Sequence, residues 1–343
     1  MTDRLYLDHN ASSPARPETI AAMNEALKTG GNPTAPHGNG RAAHKFVADG
    51  REAVALAMGV CAQDVIFTGC GTESINAAIH SAVVAGCSPI YVSSLDHPAS
   101  ILAAEASGSD VRTIPALADG YVDLDWLADQ LSGLSADQRP FVSIVAVNSE
   151  TGVVQDIERA TELSHAAGGI ILVDAVQAMG KVPMTFIVDY LAVSAHKIGG
   201  PQGVGALYVD PEAPFTSLLH GGGQEKRRRA GTLNAAGIAG FGAAAKVADA
   251  GMDHLSDIRD AIEAGLKEME PDLVIFGEGS NRIPNTSFFA VPDTASQTLM
   301  MALDLDGISV STGTACSSGK VGASRAVTAM GLADKAPHGC IRL

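Results

Sequence analysis

Tyr190-Leu191-Ala192-Val193-Ser194-Ala195-His196-Lys197 joins an apolar run to a lysine, and the architecture of this 343-residue chain can be read from that join. The first four residues read as the end of a buried strand. The lysine is followed by Ile198-Gly199-Gly200-Pro201, which stops any further regular structure. A lysine at the mouth of a buried strand is unusual, because an ammonium is costly to bury unless it has chemistry to do. The chemistry that suits it is a Schiff base with pyridoxal phosphate, where a lowered pKa keeps the amine nucleophilic. From this segment alone, a solvated loop lysine is the commoner reading.

A second run, Ile170-Ile171-Leu172-Val173, is of parallel-strand type and ends in Asp174-Ala175-Val176-Gln177. A pyridoxal cofactor needs a carboxylate beside its ring nitrogen, and open α/β sheets bind ligands at the carboxyl ends of their strands. The alternative for Asp174 is a helix N-cap. A third run, Val65-Ile66-Phe67-Thr68, leads through Gly69-Cys70-Gly71-Thr72-Glu73-Ser74 into a helical segment. Glycines allow the tight turn, and free N–H groups at a helix start attract a phosphate. The pattern is neither a Walker A loop nor a full Gly-x-Gly-x-x-Gly. His97, in Asp96-His97-Pro98, adds a flat ring at another strand end, where a lone histidine otherwise reads as a loop residue.

Taken in order, these stretches resemble the class V aminotransferase family and, within it, the cysteine desulfurases. The resemblance runs through Tyr6–Ser12, Gly31-Asn32-Pro33, Gly71–Ser74, Asp96-His97, Val147–Gly152, Val173–Gln177, Ser194–Lys197, Arg229–Thr232, Thr312–Cys316 and Cys340–Leu343. It therefore spans the chain. It implies pyridoxal phosphate held by Lys197, which also moves the substrate's α-proton. It further implies Asp174 at the pyridinium nitrogen, Gln177 at the phenolic oxygen, and His97 stacked on the ring to assist proton transfer. Gly71, Thr72, Ser194 and His196 would hold the phosphate, with Thr232 reaching it from a partner subunit of a homodimer. Asn148 and Arg342 would bind the carboxylate of L-cysteine, the arginine by a bidentate fork.

Cys316 lies in Ser311-Thr312-Gly313-Thr314-Ala315-Cys316-Ser317-Ser318-Gly319, a small-residue segment without apolar periodicity, and reads as part of a mobile loop. The resemblance makes it the thiol that takes sulfur from cysteine as a persulfide, leaving alanine, and passes it to an acceptor protein for iron–sulfur cluster or other sulfur-cofactor assembly. Free cysteines are more often small buried hydrophobes. Cys61, Cys70, Cys87 and Cys340 are read that way.

A net charge of −15 argues against nucleic acid, and the single basic run Lys226–Arg229 is too short to reverse that. No signal peptide or membrane-spanning run is visible. Five cysteines without a Cys-x-x-Cys pair disfavour zinc, any other metal centre or a disulfide scaffold, so a reduced, cytoplasmic setting is expected.

Apolar strands alternating with alanine-rich helices from Val54 to about Val209 give an α/β class: a mostly parallel, doubly wound sheet, the pyridoxal-phosphate fold type I. Helices are expected from Ala236 to about Ala250 and over Leu255–Met269, and strands at 273–276 and 286–291. The expected division is a large cofactor-binding domain over 13–250, with 1–12 and 251–343 forming a smaller α+β domain. Family members continue past the equivalent of Arg342 with a strand and a helix. With Leu343 last, the expectation is a loosely held Arg342. A selenocysteine lyase or other class V pyridoxal enzyme, or a non-catalytic scaffold of the same ancestry, is the alternative reading.

Overall fold

The computed structural model describes residues 4–252, 254–313 and 324–343. In chain order the elements begin with β1 (Leu5–Tyr6), α1 (Pro17–Thr29), α2 (Gly38–Met58), β2 (Val65–Thr68), α3 (Gly71–Val84), β3 (Ile90–Ser93), α4 (Pro98–Ala106) and β4 (Val111–Ile114). There follow α5 (Leu124–Ser132), β5 (Phe141–Val145), α6 (Ile157–Ala166), β6 (Ile170–Asp174), β7 (Tyr190–Ser194) and β8 (Gly205–Val209). The remainder comprises α7 (Ala235–Ala245), α8 (Leu255–Met269), β9 (Val274–Ile275), β10 (Phe288–Ala290), α9 (Ser296–Leu305), β11 (Ile308–Ser309), α10 (Arg325–Ala329) and β12 (Ile341–Arg342).

A seven-stranded sheet runs β2-β8-β7-β6-β5-β3-β4. All its neighbours pair parallel except around β8, which is antiparallel to both β2 and β7. The apolar runs explain this placement. Every residue of β5, β6 and β7 is buried, as strands covered on both faces require. Side chains alternate between two cores: Ile171, Val173, Leu191 and Val193 pack on one face with Phe67, Ile144 and Phe241. Ile170, Leu172, Tyr190 and Ala192 pack on the other with Ile75, Ile79 and Phe141. The α/β expectation is therefore met by a sheet with helices on both sides.

Helices α2 and α7 cross so closely that a Cβ on Gly242 would lie 2.6 Å from Gly50 Cα, so only glycine serves there. A second, antiparallel sheet is ordered β12-β10-β9, and β1 pairs parallel with β11. Helix α8 has the expected bounds, whereas α7 ends at Ala245 and the expected 286–291 strand shortens to β10. No helix among the described residues is long and apolar enough to cross a membrane.

Candidate active site

Strands β3, β5, β6 and β7 run the same way, and β2 joins them in direction through the intervening antiparallel β8. Their carboxyl ends therefore lie along one edge, as do the turns that follow. Those turns carry Gly71, Thr72, His97, Asn148, Gln177 and Lys197, while Asp174 and Ser194 are the last residues of β6 and β7.

Lys197 closes a single 3-10 turn, Ala195–Lys197, directly after β7. Its Nζ donates to the carbonyl oxygens of Asn10 and Ala11, at 2.6 and 2.9 Å. The N-terminal segment thus lies over the sheet edge, fixed also by the bond from Ser13 N to the His196 carbonyl at 2.8 Å. Gln177 Nε2 donates to the same Asn10 oxygen at 2.8 Å, and Gln177 Oε1 accepts from Lys181 Nζ at 2.6 Å.

Burial sets the electrostatics. The Asp174 carboxyl is pushed up to about 6 by desolvation, opposed by a 3.0 Å bond from Val176 N and by the charge of Lys197. His196 is lowered to about 4 by burial and by Lys197. His97 is also lowered, by burial first and then by Lys197 and Arg325, so its imidazole is neutral at pH 7. Its Nδ1 caps α4 by accepting from Ala99 N at 3.1 Å, which leaves the proton on Nε2.

The raised carboxyl pKa makes Asp174 a liability to the apoprotein. Its folded value lies above its unfolded one, so its contribution is unfavourable and complete above about pH 6. As the pH falls below the unfolded value near 4 both states become protonated and the penalty fades. Asp174→Asn apoprotein should therefore gain up to about 3 kcal/mol over the parent at pH 8, but less than about 1 kcal/mol near pH 4. Urea unfolding at the two pH values reads this directly. An equal or lower stability of the variant at pH 8 would contradict it.

The phosphate cradle assembles from two elements. A Cβ on Gly71 would lie 2.8 Å from Val176 Cγ2 and 3.6 Å from Ser194 Cβ, so the glycine lets the start of α3 sit against the ends of β6 and β7. Ser194 is buried and its Oγ has no partner among the described residues. An orphaned hydroxyl beside an open helix N-terminus suits an anion. Together with a buried carboxyl and a lysine, these groups fit pyridoxal phosphate. Thr72 is exposed in the first turn of α3. Glu73 Oε2 accepts from Gly69 N at 2.7 Å, and Glu73 Oε1 pairs with Arg229 at 2.9 Å. Thr232 is exposed.

Arg342 departs from expectation. It is buried in β12, paired with Phe288, and donates to Asp8 Oδ1 at 2.7 Å and to the Ser149 carbonyl at 3.0 Å. Sheet pairing and an ion pair tie it down, and these bonds leave further guanidinium donors for a carboxylate. Asn148 shapes its own loop: Oδ1 accepts from Glu150 N and Thr151 N, both at 3.0 Å, and Nδ2 donates to the Leu95 carbonyl at 3.1 Å. Cys316 lies outside the described residues. Of the other cysteines, Cys87 and Cys340 are buried, but Cys61 and Cys70 are exposed, because each stands in a turn flanking β2 and not within a packed element.

Four residues given no role in the sequence prove central. Asn10 bridges Lys197 and Gln177, Asp8 holds Arg342, and Lys181 grips Gln177. Asp96 accepts from Val145 N at 2.7 Å and Ser143 Oγ at 2.9 Å, joining β5 to the turn after β3. Asp8 and Asn10 fall in the matched 6–12 stretch, so their signal was present. Nothing in the spacing singles out Lys181.

The class-V aminotransferase family model matches residues 5–340. A cysteine desulfurase from Cereibacter sphaeroides is 39% identical over 353 residues, covering 99% of this chain and 90% of the relative. A solved NifS-like protein superposes with a TM-score of 0.90 at 30% identity, over 99% of this chain and 93% of that one. A structure of SspA in complex with cysteine gives a TM-score of 0.84 at 25% identity, covering 98% and 97%.

Proposed function

Because this chain belongs to the class V aminotransferase family, we propose that it is a pyridoxal-phosphate-dependent cysteine desulfurase, turning L-cysteine into L-alanine and moving the sulfur onto Cys316. The observation that carries the reading is the buried Asp174 carboxyl at the end of β6, under the electrostatic influence of Lys197. The cysteine desulfurase relative and the cysteine complex of SspA support the choice of substrate.

When bound, pyridoxal phosphate supplies an electron sink for the carbon bearing the substrate's amine. Lys197 holds the cofactor through Nζ and then moves the proton at that carbon. Asp174 keeps the ring nitrogen protonated, and the NH2 end of Gln177 serves the ring oxygen. His97 covers the ring with its proton on Nε2. The Gly71 turn, Thr72, Ser194 and His196 hold the phosphate, while Arg342 and Asn148 receive the substrate carboxylate. The sulfur transfer balances without an outside oxidant. The Cβ–Sγ bond of cysteine breaks, Sγ bonds to the sulfur of Cys316, and a proton takes its place on the carbon. A sulfur-acceptor protein then takes the terminal sulfur.

Purified protein given cysteine, pyridoxal phosphate and a reductant should release alanine and sulfide in equal amounts. Sulfide without alanine, or neither, would overturn the reading. The same assay examines the two-fold homodimer, in which Thr232 of the partner subunit completes each phosphate site. Co-expressed Lys197→Ala and Thr232→Ala chains should recover about a quarter of wild-type activity, since each mixed dimer holds one intact site and mixed dimers form half the population. Activity no greater than that of either variant alone would place Thr232 in its own chain's site.

A further inference from the structure

Lys181 is a second lysine at the sheet edge, and the reading above leaves it unused. Its Nζ donates to Gln177 Oε1 at 2.6 Å and lies 3.4 Å from Asn10 Oδ1. Gln177 Nε2 meets the Asn10 carbonyl at 2.8 Å, and that same oxygen accepts from Lys197 Nζ at 2.6 Å. Asn10 therefore ties both lysines and the glutamine into one network.

The surroundings argue against an ordinary structural role. Lys181 and Lys197 line the same cavity of about 430 Å³, whose other charged or titratable side chains are His9, Arg16 and Arg259. The described lining contains no Asp or Glu side chain. The charged groups acting on Lys181 are Lys197 and Arg342, and Lys181 in turn helps to lower His9. With burial, this company brings the Lys181 ammonium down to about 7. Lys181 also lines a second cavity with Lys246 and Asp249, but among the described residues its partners are amide oxygens and it gains no ion pair to offset its desolvation. Groups held at such a disadvantage cluster at functional sites.

We propose that Lys181 is a positioning residue: its ammonium grips Gln177 Oε1 and so turns the NH2 end of that amide toward the ring oxygen of bound pyridoxal phosphate. A carboxamide is nearly symmetric in shape, and its two ends are told apart only by their hydrogen-bond partners. Below about pH 7 the Lys181 side chain is an ammonium that can only donate, so the oxygen end faces it. The NH2 end is then left for an acceptor, which is the Asn10 carbonyl in this structure. The anionic ring oxygen is an acceptor too, and a reversed amide would meet it oxygen to oxygen. This inference rests on the cofactor reading above.

The test is a pH titration of the visible absorbance of cofactor-loaded protein without cysteine. Without the Lys181 donor the Gln177 amide is free to turn its NH2 end away from the ring oxygen, and losing that donor makes the adjacent proton harder to lose. Lys181→Met should therefore raise the absorbance midpoint by about half a pH unit or more, and Lys181→Arg, which keeps charge and donors, should stay near wild type. In a Gln177→Leu background, Lys181→Met should add little further shift, because Lys181 acts through that amide. An unmoved midpoint in fully loaded Lys181→Met protein would overturn the proposal, as would an undiminished shift in the Gln177→Leu background. If the Met variant does not accumulate, Lys181→Ala serves the same comparison. Wild-type protein that takes up no pyridoxal phosphate would instead overturn the cofactor reading itself.

Discussion

Lys197→Ala protein is expected to lose turnover of cysteine by at least ~10⁴-fold, since one change removes both the amine that holds the cofactor and the base that moves the substrate proton. The fold should survive. The substitution frees the Ala11 carbonyl, while that of Asn10 keeps its bond from Gln177, a loss on the order of 1–3 kcal/mol, and the adjoining cavity admits water. Lys197→Arg sharpens the comparison. Arginine can still donate to those carbonyls, yet it stays charged and cannot act as a nucleophilic amine. Both variants should therefore be inactive, with the arginine form the more stable. Borohydride treatment of the wild-type protein should add the cofactor's mass to the peptide containing Lys197. The informative rival is Lys181, which shares the cavity and has the lowered pKa of a nucleophilic amine. Geometry separates the two. Lys197 follows β7 directly, beside the orphaned Ser194 hydroxyl, whereas Lys181 is engaged by Gln177. Label on the Lys181 peptide would reassign the site.

The large sheet was legible because its central strands are buried on both faces. Ile170–Asp174 and Tyr190–Ser194 read as continuous apolar runs, whose shortness and flanking turns set them apart from a buried helix. The place of β8 was not legible. Its insertion as an antiparallel strand between β2 and β7 depends on pairing between segments far apart in the chain. The same limit explains Arg342. From its position near the last residue it reads as loosely held, but its partner Asp8 stands at the opposite end of the chain. A local pattern carries no record of such a contact. Asp174, Lys197 and His97 were legible because each ends or follows a strand at the edge where α/β sheets bind ligands. Asn10 acts chiefly through its main-chain oxygen, and side-chain identity says little about which carbonyl a lysine will find.

The thiol carries the largest remaining effect. Cys316→Ser protein should take up pyridoxal phosphate and bind cysteine as the parent does, yet its release of alanine and sulfide should fall by roughly 10³-fold or more, because a hydroxyl cannot accept sulfane sulfur. The described residues bracket Cys316 closely. On one side Ser311 exchanges backbone hydrogen bonds with Arg342, at 2.7 and 3.2 Å. On the other, Ser324 caps α10 by accepting from Val327 N at 3.1 Å. Ser311, five residues before Cys316, thus sits beside the residue assigned to the substrate carboxylate. The other cysteines are distinguishable on physical grounds. Burial raises the thiol pKa of Cys87 and pushes that of Cys340 up to about 12, so neither supplies thiolate at neutral pH. Cys61 precedes β2, at the end of that strand remote from the site. Cys70 is the one true competitor, being exposed at the N-cap of α3 beside the phosphate cradle. Mass analysis after a single addition of cysteine should find one extra sulfur on the Cys316 peptide, and Cys70→Ser should keep that label. Sulfur on the Cys70 peptide, with activity surviving in Cys316→Ser, would move the acceptor role to the α3 turn.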